Sequence, residues 1–94
     1  MKTFNDDGGV VSTVEASDGE RPYETAIHHP SISGWKWIVV DAYDSWEDAS
    51  SGHKAWVERL KKRPLVVNEL NNSLLAQQIG YHPQMFGLAE PAGN

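Results

Sequence analysis

His53 is the residue whose chemistry most needs explaining, because it interrupts the apolar stripe of a predicted helix. In the stretch SWEDASSGHKAWVERLKKR, residues 45–63, the other stripe positions are Trp46, Ala49, Trp56, Val57 and Leu60. A buried imidazole needs a partner, since an unpaired buried polar group costs about 1–3 kcal/mol. We expect His53 to be a core residue that bridges the helix to Glu24 or Thr25. A metal-ligand role and a catalytic role are the two alternatives.

Two further histidines, His28 and His29, follow one another in a predicted strand. Adjacent strand side chains point to opposite faces, so this pair cannot easily chelate one ion. A mixed site with His53, Asp41 or Asp44 is conceivable, but no predicted helix carries two histidines four residues apart. The pattern favours solvated turn residues, and the sequence predicts no metal and no cofactor.

The charged clusters also favour structural roles. Asp41, Asp44, Glu47 and Asp48 follow a predicted strand, and acid–base catalysis by such a set needs one of them to be buried. The interpretation we favour is a solvated helix N-terminus, where Glu47 and Asp48 suit the helix dipole. The basic run at residues 61–63 is typical of a helix end. Because the sequence also lacks a phosphate-binding loop and a nucleophile elbow, it predicts no enzyme.

The central elements are a β-hairpin and a helix. Residues 22–29 and 35–44 read as strands joined by a turn at Pro30–Gly34, and both faces of the second strand are apolar, which predicts a central strand. Ser45 is the predicted N-cap of a helix over 45–62, in which Gly52 allows close approach to the sheet. The predicted core comprises Glu24, Thr25, Trp37, Val39, His53, Trp56, Val57 and Leu60.

Weaker patterns flank this unit. Val66, Leu70 and Leu74 recur at helical spacing, which predicts a second helix within residues 65–80, with an extended conformation of Leu65–Val67 as the alternative. The expected fold class is α+β: a hairpin or three-stranded sheet packed by one main helix, with a second helix. The predicted organisation is an N-terminal arm over 1–20, a core over 21–80 and a C-terminal arm over 81–94. Val10–Glu15 is the one alternation within the first arm that suits a strand.

Composition narrows the class of protein and of partner. The 94 residues suffice for one domain, there is no cysteine, and no signal peptide or membrane span is expected. The net charge is −5, but it is uneven, because residues 1–48 carry ten acidic side chains against three bases, whereas residues 49–94 carry three against five. Nucleic acid is an unlikely partner for so acidic a protein, because its binding requires a positively charged surface. The acidic N-terminal half suits a basic protein surface instead.

One pattern resembles a known family. The residues ETAI, followed by a strand and then YDSWEDASSGHKAWV, resemble small proteins encoded in tailed-phage and prophage genomes. The matching positions are Glu24, Thr25, Tyr43, Ser45, Asp48, Ala49, Gly52, His53, Trp56 and Val57; Asp48 replaces the glutamate usual in that family. The resemblance covers residues 23–60 and implies a phage origin and a hairpin-plus-helix unit, but no reaction.

The C-terminal segment supplies the predicted partner contacts. Tyr81, Met85, Phe86 and Leu88 lie between prolines and glycines, and apolar side chains on such a segment need a surface on which to dock. We expect this surface to belong to neighbouring subunits, and the alternative is a tail that packs on its own domain. The sequence therefore predicts a non-enzymatic structural or assembly protein of a phage particle. It would bind neighbouring subunits, within an oligomer or a larger assembly, and reside in the virion after assembly in the host cytoplasm. The alternative is a soluble phage-encoded inhibitor that binds a host or defence protein through its acidic face.

Overall fold

A computed structural model describes residues 1–32 and 36–89, and within them an antiparallel sheet is covered by one long helix. The sheet has the order β1-β2-β3-β4, formed by Lys2–Phe4, Val10–Glu15, Tyr23–His28 and Ile38–Tyr43. Helix α1, Trp46–Arg59, packs on one face of this sheet. A second sheet pairs β5, Leu65–Asn68, with β6, Met85–Leu88, and a short helix α2, Leu74–Gln78, lies between them in the chain.

These elements confirm the α+β class, although the main sheet has four strands. The segment predicted as an N-terminal arm supplies two of them, because β2 pairs with β1 on one side and with β3 on the other. Val11 and Thr13 of β2 are fully buried. The turn that joins β1 to β2 is marked in the sequence by Asp7-Gly8-Gly9: Asp7 Oδ1 accepts the Gly9 N–H at 2.9 Å, and Gly8 has a φ of 90°.

Strand β4 lies at the edge of the sheet, so the prediction of a central strand is wrong. The sequence that follows β5 contacts this edge, where the Leu70 N–H donates to the Val39 carbonyl at 2.7 Å. The apolar character of both faces of β4 reflects cover by this segment, since Ala42 lines a small depression together with Leu70 and Asn72. The predicted turn residues Ser33 and Gly34 and the predicted strand residue Trp35 lie outside the described residues.

A β-bulge decides which side chains of β4 face the helix. Ala26 pairs with Val39 but Thr25 pairs with Asp41, so Val40 is an extra residue and the alternation shifts by one. Ile38 and Asp41 therefore lie on the same face, although strict alternation would put them on opposite faces. The two predicted core residues of this region do not meet the prediction, because Val39 is half-buried and Trp37, which precedes β4, is 47% exposed.

Helix α1 begins as predicted and ends early. The Ser45 side chain accepts the Asp48 N–H at 3.1 Å, which confirms the N-cap. The last turn tightens, with the Lys61 N–H donating to the Glu58 carbonyl, so the helix ends at Arg59 rather than at residue 62. Arg63 then donates to the Leu60 carbonyl at 2.6 Å, and a cis peptide bond precedes Pro64.

The apolar core is shared between the two sheets and the helix. Trp56 and Leu60 of α1 meet side chains from β2, β3 and β4, and the hairpin β5–β6 closes the cluster; its buried members are Val11, Ile27, Ile32, Ile38, Trp56, Leu60, Leu65, Val67 and Leu88. Val57 is half-buried against this cluster. The predicted second helix is wrong over residues 65–68, because Leu65 and Val67 alternate with exposed residues along strand β5 and point into the core.

The two tryptophans of α1 provide a matched test of this packing. Trp56 is buried in the shared core, so Trp56→Ala should lower the free energy of unfolding by about 3–5 kcal/mol. Trp46 is exposed and meets only the edge of the Tyr23 ring, so Trp46→Ala should cost about 0.5–1.5 kcal/mol. Urea unfolding followed by circular dichroism measures both. Equal losses in the two variants would contradict the described core.

Candidate functional site

A chain of buried polar side chains crosses the interface between α1 and the sheet. The His53 ring lies at its centre, with Nδ1 2.7 Å from Thr13 Oγ1 and Nε2 2.9 Å from Thr3 Oγ1. Thr13 Oγ1 is 2.6 Å from Thr25 Oγ1, which in turn is 3.0 Å from the Tyr43 hydroxyl. Histidine 53 is therefore a bridge between helix and sheet, but its direct partners are Thr13 and Thr3, and Thr25 is one hydroxyl further away.

The hydrogen bonds of this chain use every polar group along it. The hydroxyls of its threonines and tyrosine can each donate or accept. The neutral His53 ring donates from one nitrogen and accepts at the other, so its two threonine neighbours satisfy both positions.

The electrostatics of the chain match a closed structural element. Burial lowers the pKa of His53, and the positive charge of the N-terminal ammonium group lowers it further. Burial raises the pKa of the Tyr43 phenol, an effect that the Thr25 hydrogen bond opposes and the charge of Asp41 reinforces. No buried side-chain nitrogen or oxygen in the described part of the chain lacks a hydrogen-bond partner. The imidazole is thus neutral and occupied on both nitrogens, which leaves it no lone pair for a substrate or an ion.

Two carboxylates that the sequence singled out, Glu24 of the predicted core and Asp41 of the acidic cluster, bind other partners. The Glu24 carboxylate accepts from the Asn72 side chain at 3.0 Å, and Asn72 also bonds the backbone of Arg21 through both its side-chain oxygen and its side-chain nitrogen. Glu24 therefore holds residues 70–73 against the sheet rather than binding His53. Asp41 receives the Trp56 indole N–H at 3.4 Å. This carboxylate faces the helix, while Asp44, Glu47 and Asp48 are exposed, as predicted for a solvated helix N-terminus.

A second polar cluster ties the β1–β2 turn to the end of α1. His29 Nδ1 accepts the Ser31 N–H, so in the neutral ring Nε2 carries the hydrogen and donates to Asp7 Oδ2 at 3.0 Å. Arg63 donates to the same oxygen at 2.9 Å. Burial raises the pKa of Asp7, but the Gly9 N–H, His29 and the charge of Arg63 together hold it below its usual value. No local sequence pattern indicates this contact, because Asp7 and Arg63 are 56 positions apart.

Of the four residues predicted to bind partners, two lie in or against the core and two are exposed at the surface. Leu88 is 2% exposed and belongs to the core, and Phe86 is half-buried beside it, so both stabilise the chain's own fold. Met85 is 70% exposed on the outer face of β6. Tyr81 is at the surface, where its hydroxyl donates to Glu69 at 2.5 Å. The predicted arm is thus a core strand as far as Leu88, and residues 90–94 lie outside the described part.

The surface richest in exposed apolar side chains lies just before that strand. Of the twelve large apolar side chains that are exposed in the described structure, half lie within residues 70–85, a stretch called here the apolar segment: Leu70, Leu74, Leu75, Ile79, Tyr81 and Met85. Helix α2 contributes no buried residue. Its Ser73 cap and the Leu75 N–H both bond Asp18 Oδ2, which anchors α2 on the β2–β3 turn.

The spacing of Val66, Leu70 and Leu74 predicted one longer helix with Leu74 on its inner stripe. The short exposed helix α2 was therefore not predicted. The pattern Asn71-Asn72-Ser73 before Leu74 is an N-cap signal that would have divided the segment. Thr3 and Thr13 were missed because a threonine in a strand has no feature that marks it as buried.

The described residues contain neither a metal-binding group nor a membrane-spanning helix. No group of three or more His, Cys, Asp or Glu side chains among them is arranged to hold a metal ion, and His28, His29 and His53 do not converge with Asp41 or Asp44. No helix within residues 1–32 and 36–89 is long and apolar enough to cross a membrane.

Comparison with known proteins adds no relative. No protein-family model, no curated protein and no solved structure matches the chain. The resemblance to small phage proteins stays a prediction from the residues that carry it.

Gly52 permits the contact between α1 and Tyr43, and this contact gives a direct test. A Cβ at position 52 would collide with the Tyr43 ring and hydroxyl. Gly52→Ala should therefore destabilise the protein by about 1–3 kcal/mol from overpacking, offset in part by a helix-propensity gain of roughly 1 kcal/mol. Ser51→Ala, at the exposed neighbouring position, shows the smaller propensity gain of alanine over serine without burial of the new methyl group. A Gly52→Ala variant stabilised as much as Ser51→Ala in urea unfolding would contradict the close approach.

His53 should make stability depend on pH. Because the pKa of His53 is lower in the folded than in the unfolded chain, the unfolded chain binds its proton first. Stability from His53 is then complete above about pH 6.5 and is lost as the pH falls below that value. Melting temperatures from about pH 8 to about pH 5 should decline less steeply in His53→Gln than in the wild type. The other histidines are present in both proteins, so identical slopes would show that His53 is not the group responsible.

Proposed function

We propose that this protein is a non-enzymatic structural or assembly component of a bacteriophage particle that binds neighbouring subunits through the apolar segment. The observation that carries the proposal is the exposure of Leu74 and Leu75 on a helix that buries no residue of its own, and of Ile79 at the C-cap of that helix. A small domain gains nothing from an ordered helix that points its leucines into water. Such a surface is typical of a protein-binding site.

The anchoring of α2 supports a preformed binding surface. Ser73 caps the helix, Asp18 receives both the Ser73 hydroxyl and the Leu75 N–H, and Gly19 forms a backbone bridge with Ser73. Four further hydrogen bonds, made by Glu24 and Arg21 to Asn72 and by the Leu70 backbone to Val39, hold the preceding residues. An apolar surface that is already ordered loses less entropy on binding than a flexible arm would.

The polar clusters support the non-enzymatic part of the proposal. In the His53 chain every hydroxyl and both ring nitrogens are used within the fold. His29 and Asp7 are likewise engaged with Arg63 and the Ser31 backbone. A general base needs a free lone pair within reach of a substrate proton. The phage context rests on the resemblance of residues 23–60 to small phage proteins.

The alternative, an inhibitor of a host or defence protein, is favoured by a separate observation. The β2–β3 turn and the β4–α1 connection meet at one end of the sheet, since Glu15 pairs with Tyr23 and Tyr23 pairs with Tyr43. Exposed carboxylates from both connections collect at this end: Glu15, Asp18, Glu20, Asp44, Glu47 and Asp48. Such an end suits a basic target.

The composition of the particle and a surface variant test the proposed function. Virions from the phage or prophage that carries the gene should contain the chain by mass spectrometry. The double variant Leu75→Ser, Ile79→Ser should fold normally, because both side chains are exposed, yet be lost from particles at least tenfold, which corresponds to about 1.4 kcal/mol of binding free energy.

The control replaces two exposed apolar residues outside the apolar segment, Phe4→Ser with Val14→Ser. These variants should enter particles like the wild type if their melting curves are also unchanged. A chain that is absent from particles and recovered instead with a host protein would favour the inhibitor. Normal incorporation of the Leu75, Ile79 variant into particles would contradict the proposal that the apolar segment binds neighbouring subunits.

A further inference from the structure

The chemistry of the α2 surface defines what can cover it. This surface consists of Leu74, Leu75 and Ile79 together with Asp18, which lines the same open depression as Leu74 and Leu75. Glu20 is exposed on the same turn as Asp18, and the sequence has no lysine or arginine from residue 64 to residue 89. An apolar centre with an acidic border fits a partner whose apolar residues are bordered by basic ones.

The chain itself carries such a complement at the end of α1. Lys61, Lys62, Pro64 and Val66 are exposed, whereas Leu65 between them is buried. This stretch is called here the basic corner. Lys61 pairs with Glu58 at 3.3 Å, but both side chains are more than half exposed, and such a pair contributes little and exchanges partners readily.

The two surfaces lie at opposite ends of the molecule. The basic corner adjoins the start of β2, because Arg63 binds Asp7 and a Cβ at Gly9 would touch Leu60. The α2 surface adjoins the far end of β2, because Asp18 and Gly19 bind Ser73. Strand β2 has six residues, and at about 3.3 Å per residue it separates the two ends by roughly 20 Å. One chain therefore cannot bring its own two surfaces together.

We infer that the α2 surface of one copy docks on the basic corner of a second copy, so that the chains associate head to tail. Leu75 and Ile79 would lie against Val66 and Pro64, and Asp18 and Glu20 would face Lys61 and Lys62. The inference rests on the proposed function, because it names a second copy as the neighbouring subunit.

A contact of this kind has a defined symmetry. It joins two different surfaces, so each added copy offers a new free surface, and the chains form a closed ring or an open filament. The ionic border should make association sensitive to salt, since the Debye length falls from about 30 Å at 0.01 M to about 3 Å at 1 M ionic strength.

Sedimentation velocity on the purified full-length chain tests the contact. The wild type should form larger species as its concentration rises, and added salt should weaken them. The variant Leu75→Ser, Ile79→Ser loses the α2 surface, and the variant Lys61→Glu, Lys62→Glu loses the basic corner. Each should be monomeric alone. An equimolar mixture should form dimers and nothing larger, because each variant retains the surface that the other lacks.

Other outcomes overturn the inference. A wild type that stays monomeric at low salt, a variant that still associates alone, or a mixture that stays monomeric would each exclude the head-to-tail contact. Unchanged melting curves and tryptophan fluorescence exclude misfolding of the variants, and Phe4→Ser with Val14→Ser should associate like the wild type. A monomeric wild type whose Leu75, Ile79 variant is nevertheless lost from particles would keep the proposed function and reject the second copy. Self-association of a chain that is absent from particles would reject the proposed function alone.

Discussion

The burial of one imidazole with both ring nitrogens hydrogen-bonded fixes the position of α1 on the sheet. His53 is hydrogen-bonded to Thr13 of β2 and Thr3 of β1. Thr13 is hydrogen-bonded to Thr25 of β3, which is hydrogen-bonded to Tyr43 of β4. Removal of any member leaves a buried neighbour without a partner, at about 1–3 kcal/mol. An apolar core tolerates small slides of a helix, whereas hydrogen bonds of 2.6–3.0 Å to several strands do not.

Two backbone features make that chain possible. Gly52 brings α1 close enough for the Tyr43 ring to lie against the helix backbone. The extra residue at Val40 turns Asp41 and Tyr43 toward the helix while Ile38 keeps its place in the apolar core. Without the bulge, the alternation that buries Ile38 would send the Asp41 carboxylate to the other face, away from the Trp56 indole N–H that it accepts.

The parts of the fold that sequence patterns predicted are those in which the signal is local. Ser45, Asp48 and the stripe through His53 identified α1 because an N-cap and a helical stripe are contained in a few turns. The side of β4 that faces the core, the partners of His53 and the contact of Asp7 with Arg63 were not predicted. Each depends on a register shift or on residues at least 40 positions apart, and one sequence contains no pattern for such pairings.

The same distinction explains why the sequence predicted partner contacts in the C-terminal segment, whereas the exposed apolar side chains of the structure lie on α2. Leu88 and Phe86 looked like docking residues because their own segment offers nothing to pack against, but β6 pairs with the earlier strand β5, where Leu88 lies opposite Leu65 and Phe86 opposite Val67. Leu74 looked internal because it continued the spacing of Val66 and Leu70. In the structure the chain leaves the core after Val67, crosses the edge of β4 at Leu70, and is tied by Asn72 and Ser73 to the turns of the sheet. That crossing uses the polar groups of the segment to hold its backbone and leaves the leucines on the outside. An apolar helix held outward by polar anchors is an arrangement that becomes favourable when a second surface covers it, and the proposed binding function rests on this arrangement.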